Sequence, residues 1–382
     1  MSSDVVIIGA GIVGCATAYY LASEGAKVTI IERDSVGSHA SGYALGGLNP
    51  LSGIGIPEPL GPLALEGFRL ILSLAAQLRE ETGIDLELQM VTAATVAFTK
   101  EEADLLRQRL PWQQAQPELQ SEWRNTGELL EMEPRLSPQV LGGVVTQGVG
   151  LLDPYKLCLA LLEAATRSGA TIRHGTVHGL KLRGDRIDAV RLSREDIPCS
   201  AVVMAMGPWA AEAAPWTGVE LPVRPLKGQI LRLRMPGPPF SYISSPDSYV
   251  VTKPDGLVWV GTTEEEAGFD EAPSPEARRE IMGNVVRAFP SLKEAKLVQQ
   301  TACLRPVAAD GLPILGRVPG KEGAVVATGA GRKGILLGPV MGRIAADLAT
   351  GGTTEQPISA LQPGRPIGAA QVAASRSEPL RF

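Results

Sequence analysis

Gly9, Gly11 and Gly14 follow the apolar run Val5–Ile8 at G-x-G-x-x-G spacing and open a segment of helical pattern at Ile12 and Val13. Each glycine has its own task. Gly9 permits a tight turn, Gly11 lets a diphosphate approach the backbone, and Gly14 lets helix and strand pack closely. The N–H groups that begin the helix, with the positive end of its dipole, form an anion site. A second apolar strand, Val28–Ile31, ends on Glu32 and Arg33. Glu32 stands 18 residues beyond Gly14, where a carboxylate accepts hydrogen bonds from an adenosine ribose. Strand, helix, strand and acid in register predict a dinucleotide site.

Other chemistries have little to draw on. There are three histidines, His39, His174 and His178, and no spacing among them suits a metal or a Ser-His-Asp triad. His174 and His178 fall in a strand-like segment and read as structural. The four cysteines, Cys15, Cys158, Cys199 and Cys303, are scattered without a CxxC pair. They are expected to be small buried apolar residues in a reducing compartment. The difficult chemistry therefore falls to a bound cofactor. A net charge of −5 gives no attraction to nucleic acid or anionic membrane. No apolar run reaches the ~18 residues of a membrane span. The first strand begins within a few residues of Met1, leaving no room for a signal peptide, so the cytoplasm is the default location.

Several elements must position the glycine-rich turn. Apolar positions over 63–82 recur at helical spacing, and Gly83 marks the stop. Residues 84–150 mix strands with a polar, tryptophan-containing stretch at about 101–135. Asp153-Pro154 supplies an N-cap and first-turn proline for a helix closing at Gly169. Ala201–Met206 reads as a buried parallel strand ended by Gly207-Pro208-Trp209. Residues 222–263 read as β structure, with a turn at Pro254-Asp255-Gly256. A helix is expected at about 275–289, a last strand at 324–328 and a last helix at 334–349. The composition shifts after Pro363, and a poorly ordered tail is expected over 366–382. Nucleotide-binding elements at both ends and in the middle, with strand-rich material between, predict two discontinuous domains.

Six blocks in order resemble the FAD-dependent amino acid and amine oxidoreductases of the D-amino acid oxidase/sarcosine oxidase superfamily, glycine oxidase most of all. They are Ala40–Pro50, Gly150–Leu157, Ala205–Trp209, Val223–Gln229, Leu304–Gly316 and Thr328–Leu337. The resemblance implies an α/β fold in which a Rossmann-type FAD-binding domain (1–85, 150–215 and 306–365) is interleaved with an α+β substrate domain. That second domain (86–149 and 216–305) is built on an antiparallel sheet. It implies a small amino acid or amine substrate, oxidised by hydride transfer to flavin N5, with the resulting imine hydrolysed. It also implies O2 or another electron acceptor, and it leaves a homo-oligomer open. Arg305 matches the arginine that holds the substrate carboxylate, a role suited to a guanidinium fork. Tyr249 matches a tyrosine beside that carboxylate, and Arg332 falls where it would approach flavin and substrate. Ala40, Ser41, Leu45, Gly46, Gly47, Val177, Gly207 and Trp209 match flavin-contacting positions. Gly329, Gly331, Lys333, Gly334 and Ile335 belong to the C-terminal flavin loop, where the helix N-terminus would stabilise charge on the reduced ring. No residue is nominated as general base, because an unprotonated amine can lose hydride directly.

The sequence also departs from that pattern. The C-terminal loop usually reads G-H-[aromatic]-R-N-G, and here Ala330, Gly331 and Lys333 replace histidine, aromatic and asparagine. Gly47 takes a position often held by methionine. These changes trade bulk for space and suggest a substrate larger than glycine. Glu264 stands where an uncharged residue is common. It is read as solvated with Glu265 and Glu266 on an exposed turn, the alternative being contact with a basic substrate group. His39 and Cys303 lie in segments relevant to covalent flavin attachment, although neither is compelling. Two further readings keep the fold: a dehydrogenase using a quinone or protein acceptor or acting on a 2-hydroxy acid, and a non-catalytic FAD-binding subunit.

Overall fold

The structure is a computed structural model that describes residues 4–369 and 371–372. The tail expected over 366–382 lies largely outside the described residues. One sheet has six strands in the order Ile314–Arg317, Ala324–Thr328, Ala201–Met204, Val5–Ile8, Val28–Glu32 and Thr171–His174. All neighbours are parallel except the first pair. Its central strands Val5–Ile8, Ala201–Met204 and Ala324–Thr328 are buried throughout because both faces are covered, whereas the edge strand Thr171–His174 is exposed. Val5, Ile7 and Val203 face a core shared with the helices, whereas Val6, Ile8 and Val202 face one shared with Val177, Val190 and Ile197. That second cover is a three-stranded sheet, Val177–Arg183, Arg186–Leu192 and Asp196–Pro198. The strand expected over Ala201–Met206 stops at Met204, because Met206 already caps the 3-10 turn Gly207–Ala213.

The helix Ile12–Ser23 lies against the C-terminal helix Gly334–Ala349. A Cβ at Gly338 would fall 2.5 Å from Ile12 Cγ1, and one at Gly342 would fall 2.5 Å from the Ala16 Cβ. Contacts that advance together along both chains mean that the helices run parallel, with their N-termini at the same end. The helix Pro154–Arg167 is capped by Asp153, whose side chain accepts from Tyr155 N at 2.9 Å and Lys156 N at 3.0 Å. The helix Gly61–Thr82 begins slightly before the apolar pattern and stops at Gly83, where φ is +79°.

The polar stretch 101–135 is more helical than its composition suggests. Thr99 with Glu102 and Asn125 with Glu128 form capping boxes that start the helices Lys100–Gln114 and Thr126–Met132. Around them runs a nine-stranded sheet whose main path is Lys296–Ala308, Val223–Arg234, Val258–Gly261, Ser248–Thr252, Tyr242–Ser245, Gln89–Ala97, Gly142–Leu151 and Gly47–Leu48. Gln120–Arg124 also pairs with Gly142–Leu151. The pairing is antiparallel except between Tyr242–Ser245 and Gln89–Ala97. One face packs Leu231, Ile243, Val250 and Val260 against Ile281 and Val285 of the helix Pro275–Ala288. The other face remains for the site.

A Cβ at Gly14 would sit 1.9 Å from Gly9 O, a backbone atom that cannot move cheaply. Gly14→Ala should therefore cost at least about 2 kcal/mol of stability. Gly283, exposed in the helix Pro275–Ala288, has nothing within 4 Å of that position. Gly283→Ala should add about 0.5–1 kcal/mol. Urea melts of the two variants beside the parent check both signs.

Candidate active site

Register carries one face of the large sheet across to the helix ends. Arg305 pairs with Leu226, Cys303 with Gly228, and Ile230 with Gly261. Gly261 in turn pairs with Tyr249, Tyr249 with Ser244, and Ser244 with Thr95. Side chains alternate between faces, so Arg305, Cys303, Ile230, Tyr249, Tyr242 and Ser244 point to one side. All of them line a single cavity. Opposite this floor lie the glycine turn, with Ile12 and Val13, and the loop from Gly329 to Leu336. Every residue singled out from the sequence for binding or catalysis borders this cavity except Gly14, which packs helix against strand.

At the glycine-rich end, Gly9 has a φ of +103°, and a Cβ there would meet Ala205 O at 2.5 Å. Ile12 N donates to Ser41 Oγ at 3.0 Å. Glu32 is held by two backbone donors, Ala10 N on Oε2 at 2.7 Å and Asp34 N on Oε1 at 2.8 Å. Each carboxylate oxygen keeps a lone pair for a further donor. Neither parallel helix has an acidic residue in its first turn or a side-chain cap from its N-cap residue. Two positive helix ends on one cavity suit a diphosphate and an electron-accepting ring, so this donor set fits an FAD molecule.

Aromatic and charged groups close the adjacent wall. The Arg33 guanidinium lies 4.0 Å from the Trp209 ring centre, and Phe269 stacks on Trp209 at 5.7 Å. His39 meets the edge of Trp209 and holds Asp34 through Nε2 and Glu271 through Nδ1, each at 2.9 Å. Burial works against its charge, yet the two carboxylates keep its pKa above the ordinary histidine value. Both ring nitrogens of His39 are thus engaged. Burial also pushes up the pKa of the Cys303 thiol. His174 and His178 stand on exposed strand positions and do not line the cavity, although Gly175, Thr176 and Val177 between them do. Among the described residues no His, Cys, Asp and Glu cluster could hold a metal ion, and no helix is long and apolar enough to cross a membrane.

Arg305 is held flat on the floor. Its Nη1 donates to Thr263 O at 3.1 Å and its Nη2 to Thr262 Oγ1 at 2.8 Å. The guanidinium crosses Gly228, where a Cβ would lie 2.1 Å from Nη1. Among the described residues no carboxylate pairs with Arg305, and its other N–H groups remain available to a ligand. Tyr249 is buried with its ring over Gly261, and burial raises its phenol pKa, so the hydroxyl stays protonated as a donor.

Two expectations from the sequence are corrected here. The room expected at Gly47 is taken by Tyr242, whose hydroxyl would lie 2.6 Å from a Cβ at that glycine. Burial pushes the Tyr242 phenol up to about 12. The acidic triplet is not a wholly solvated turn either, although Glu266 remains exposed. Glu264 pairs with Arg332, Glu265 accepts from Gln229 Nε2 at 2.9 Å, and Glu266 pairs with Arg224. The reason is backbone pairing. Lys227 and Glu265 exchange two main-chain hydrogen bonds, of 3.0 and 2.9 Å, which lay the triplet along the strand Val223–Arg234. At Gly331 the space is real, since only Val307 Cγ2, at 4.0 Å, borders it. Lys333 fills part of the wall, its Nζ donating to Asn49 O at 3.1 Å. Burial, helped by the charge of Arg332, lowers its pKa to about 8.

Gly228, Tyr242 and Thr262 were not singled out from the sequence. Tyr242 could have been found, because a turn at Pro246-Asp247 sets Tyr242 and Tyr249 on one face of a hairpin. Gly228 and Thr262 support Arg305, and no local pattern announces that.

A family profile described as "FAD dependent oxidoreductase" (DAO) matches residues 4–348. The glycine oxidase of Geobacillus kaustophilus (strain HTA426) is 35% identical over 350 residues, 90% of this chain and 92% of its own. The crystal structure of glycine oxidase from Geobacillus kaustophilus superposes with a TM-score of 0.92 at 33% identity, covering 96% of this chain and 100% of that one. That of iminodiacetate oxidase from Chelativorans sp. BNC1 gives 0.86 at 28% identity, covering 95% and 100%.

Gly228→Ala should displace the Arg305 guanidinium and weaken binding of acetate at least about tenfold by calorimetry, a loss of one charge-assisted bond. A second expectation concerns Lys253, whose Nζ ties down the site loop by donating to Leu45 O at 2.9 Å and Leu152 O at 2.6 Å. Burial lowers its pKa from 10.5 to about 8. Between those values the unfolded chain holds a proton that the folded chain lacks, so this contribution to stability rises with pH. It is full above pH 10.5 and lost as pH falls through about 8, a change of roughly 3 kcal/mol. Lys253→Met should flatten that rise in denaturant melts run from pH 7 to 11.

Proposed function

The chain belongs to the DAO family of FAD-dependent oxidoreductases, and from that membership we propose that it oxidises the C–N bond of a small amino acid or secondary amine. Glycine, sarcosine and D-amino acids are the compounds of that type, and the resemblance to glycine oxidases and an iminodiacetate oxidase supports the class. Bound FAD supplies the hydride acceptor. Segments 1–85, 150–215 and 306–365 hold the cofactor in this reading, and 86–149 with 216–305 hold the substrate.

The single observation that carries the proposal is Arg305. Its guanidinium sits on the floor of the cavity, and among the described residues its hydrogen-bond partners are the neutral oxygens of Thr262 and Thr263. A planar fork with unspent donors is the receptor for an α-carboxylate. Tyr249 gives a second donor from the same floor, its buried phenol remaining protonated. Held at these points, the substrate turns its Cα–N bond toward the opposite wall, where the two helix ends lie. The N-terminus of Ile12–Ser23, with the N–H of Val13, would hold the diphosphate, and Glu32 would take the ribose hydroxyls. The N-terminus of Gly334–Ala349 borders the same cavity, and its positive end would favour negative charge on the bound ring. An amine that enters neutral has a nitrogen lone pair to assist departure of hydride, so no side chain has to remove a proton from carbon. Water then hydrolyses the imine product, and O2 or another acceptor restores the oxidised state.

Anaerobic mixing of the FAD-loaded protein with glycine, sarcosine, D-amino acids, L-proline and 2-hydroxy acids tests the reading through flavin absorbance. Amines should bleach it and 2-hydroxy acids should not. Arg305→Ala should keep its FAD and lose at least about tenfold in kcat/KM, mostly through KM. Retention of flavin colour with every amine would defeat the proposal.

A further inference from the structure

We propose that Glu264 is a positioning residue that restricts the site to substrates with a single anionic group by neutralising Arg332; this rests on the reading that Arg305 takes the substrate carboxylate. Among the described residues three guanidinium groups border the cavity: Arg33, which is paired with Asp34 beside Trp209, Arg305 on the floor, and Arg332 on the loop before the last helix. Arg305 and Arg332 are brought together by the antiparallel bridge between Val307 and Ala330, each arginine lying two residues from it. Their electrostatic states differ. Arg305 bonds only neutral oxygens, whereas Arg332 is paired with the Glu264 carboxylate. The side chains of that pair are 16% and 19% exposed, so solvent screens their attraction only in part.

Glu264 does not itself border the cavity. It stands behind Arg332, and its backbone is fixed by the adjoining pair of main-chain bonds between Glu265 and Lys227. A ligand's second carboxylate reaching toward Arg332 would have to displace Glu264 or lie beside its negative charge. Lys333 offers no substitute, because its ammonium donates to Asn49 O and burial works against its charge. Among the described lining residues Arg33 is paired with Asp34 and Arg332 with Glu264, so Arg305 is the guanidinium left for substrate, which suits a monocarboxylate carrying a neutral amine. Removing the negative charge of Glu264 would expose a second anion receptor opposite the first.

The test uses the FAD-loaded protein with acetate and malonate, neither of which has a C–N bond to oxidise. Calorimetry gives the ratio of their dissociation constants. In the parent, malonate should bind no more tightly than acetate. Glu264→Gln, and independently Glu264→Met, should favour malonate by about tenfold relative to acetate, the worth of one charge-assisted contact. Adding Arg332→Met to Glu264→Gln should cancel the gain. In turnover, the same single variants should lower the KM for iminodiacetate relative to sarcosine while kcat moves less. A ratio that stays within about twofold of the parent in both single variants overturns the proposal, as does a gain that survives loss of Arg332. The two readings fail differently. If no amine bleaches the flavin but the malonate ratio still responds to Glu264, the amine-oxidising function is wrong. Bleaching with an unresponsive ratio removes the role of Glu264 alone.

Discussion

Two parallel helices touching through glycine set the geometry on which the rest depends. Gly338 against Ile12 and Gly342 against Ala16 leave no room for side chains between Ile12–Ser23 and Gly334–Ala349. That contact places two positive helix ends on one cavity although some 300 residues separate them in the chain. A larger residue at either glycine would spread the ends and divide the anion site. The long-range closure of the fold and the chemistry of the site therefore rest on the same packing.

The floor answers this roof through register. Ser244, Tyr249, Ile230, and Cys303 with Arg305 come from four strands and face the same way because adjacent strands keep their side chains in step. The opposite face buries Ile243, Val250 and Val260 under the helix Pro275–Ala288. A slip of one residue in Val223–Arg234 would turn Gly228 away from Arg305 and fill the cavity with core residues. Arg305 can lie flat only because Gly228 beneath it has no side chain and because Thr262 and Thr263 hold its far edge.

Much of this was legible in the sequence where the signal is local. The strand–glycine–helix–strand start, the Asp153-Pro154 cap and the last helix over 334–349 appear where periodicity and capping residues put them. The helices at Lys100–Gln114 and Thr126–Met132 are hidden by polar composition, and only their capping boxes announce them. What could not be read is what distant strands do to one another. The vacancy implied by Gly47 is filled from Tyr242, and the charges of Glu264–Glu266 are answered by Arg332, Gln229 and Arg224. A rule that acidic triplets are solvated fails when backbone pairing lays the triplet against a strand rich in partners.

The most direct test of the account is a crystal structure of the FAD-loaded protein soaked with acetate. FAD should lie with its diphosphate at the N-terminus of Ile12–Ser23 and its ring near Gly334. The acetate oxygens should lie about 2.7–2.9 Å from Arg305 nitrogens, with the methyl group directed toward the flavin ring. Acetate bound at Arg332 instead, with Arg305 still held only by Thr262 and Thr263, would contradict it.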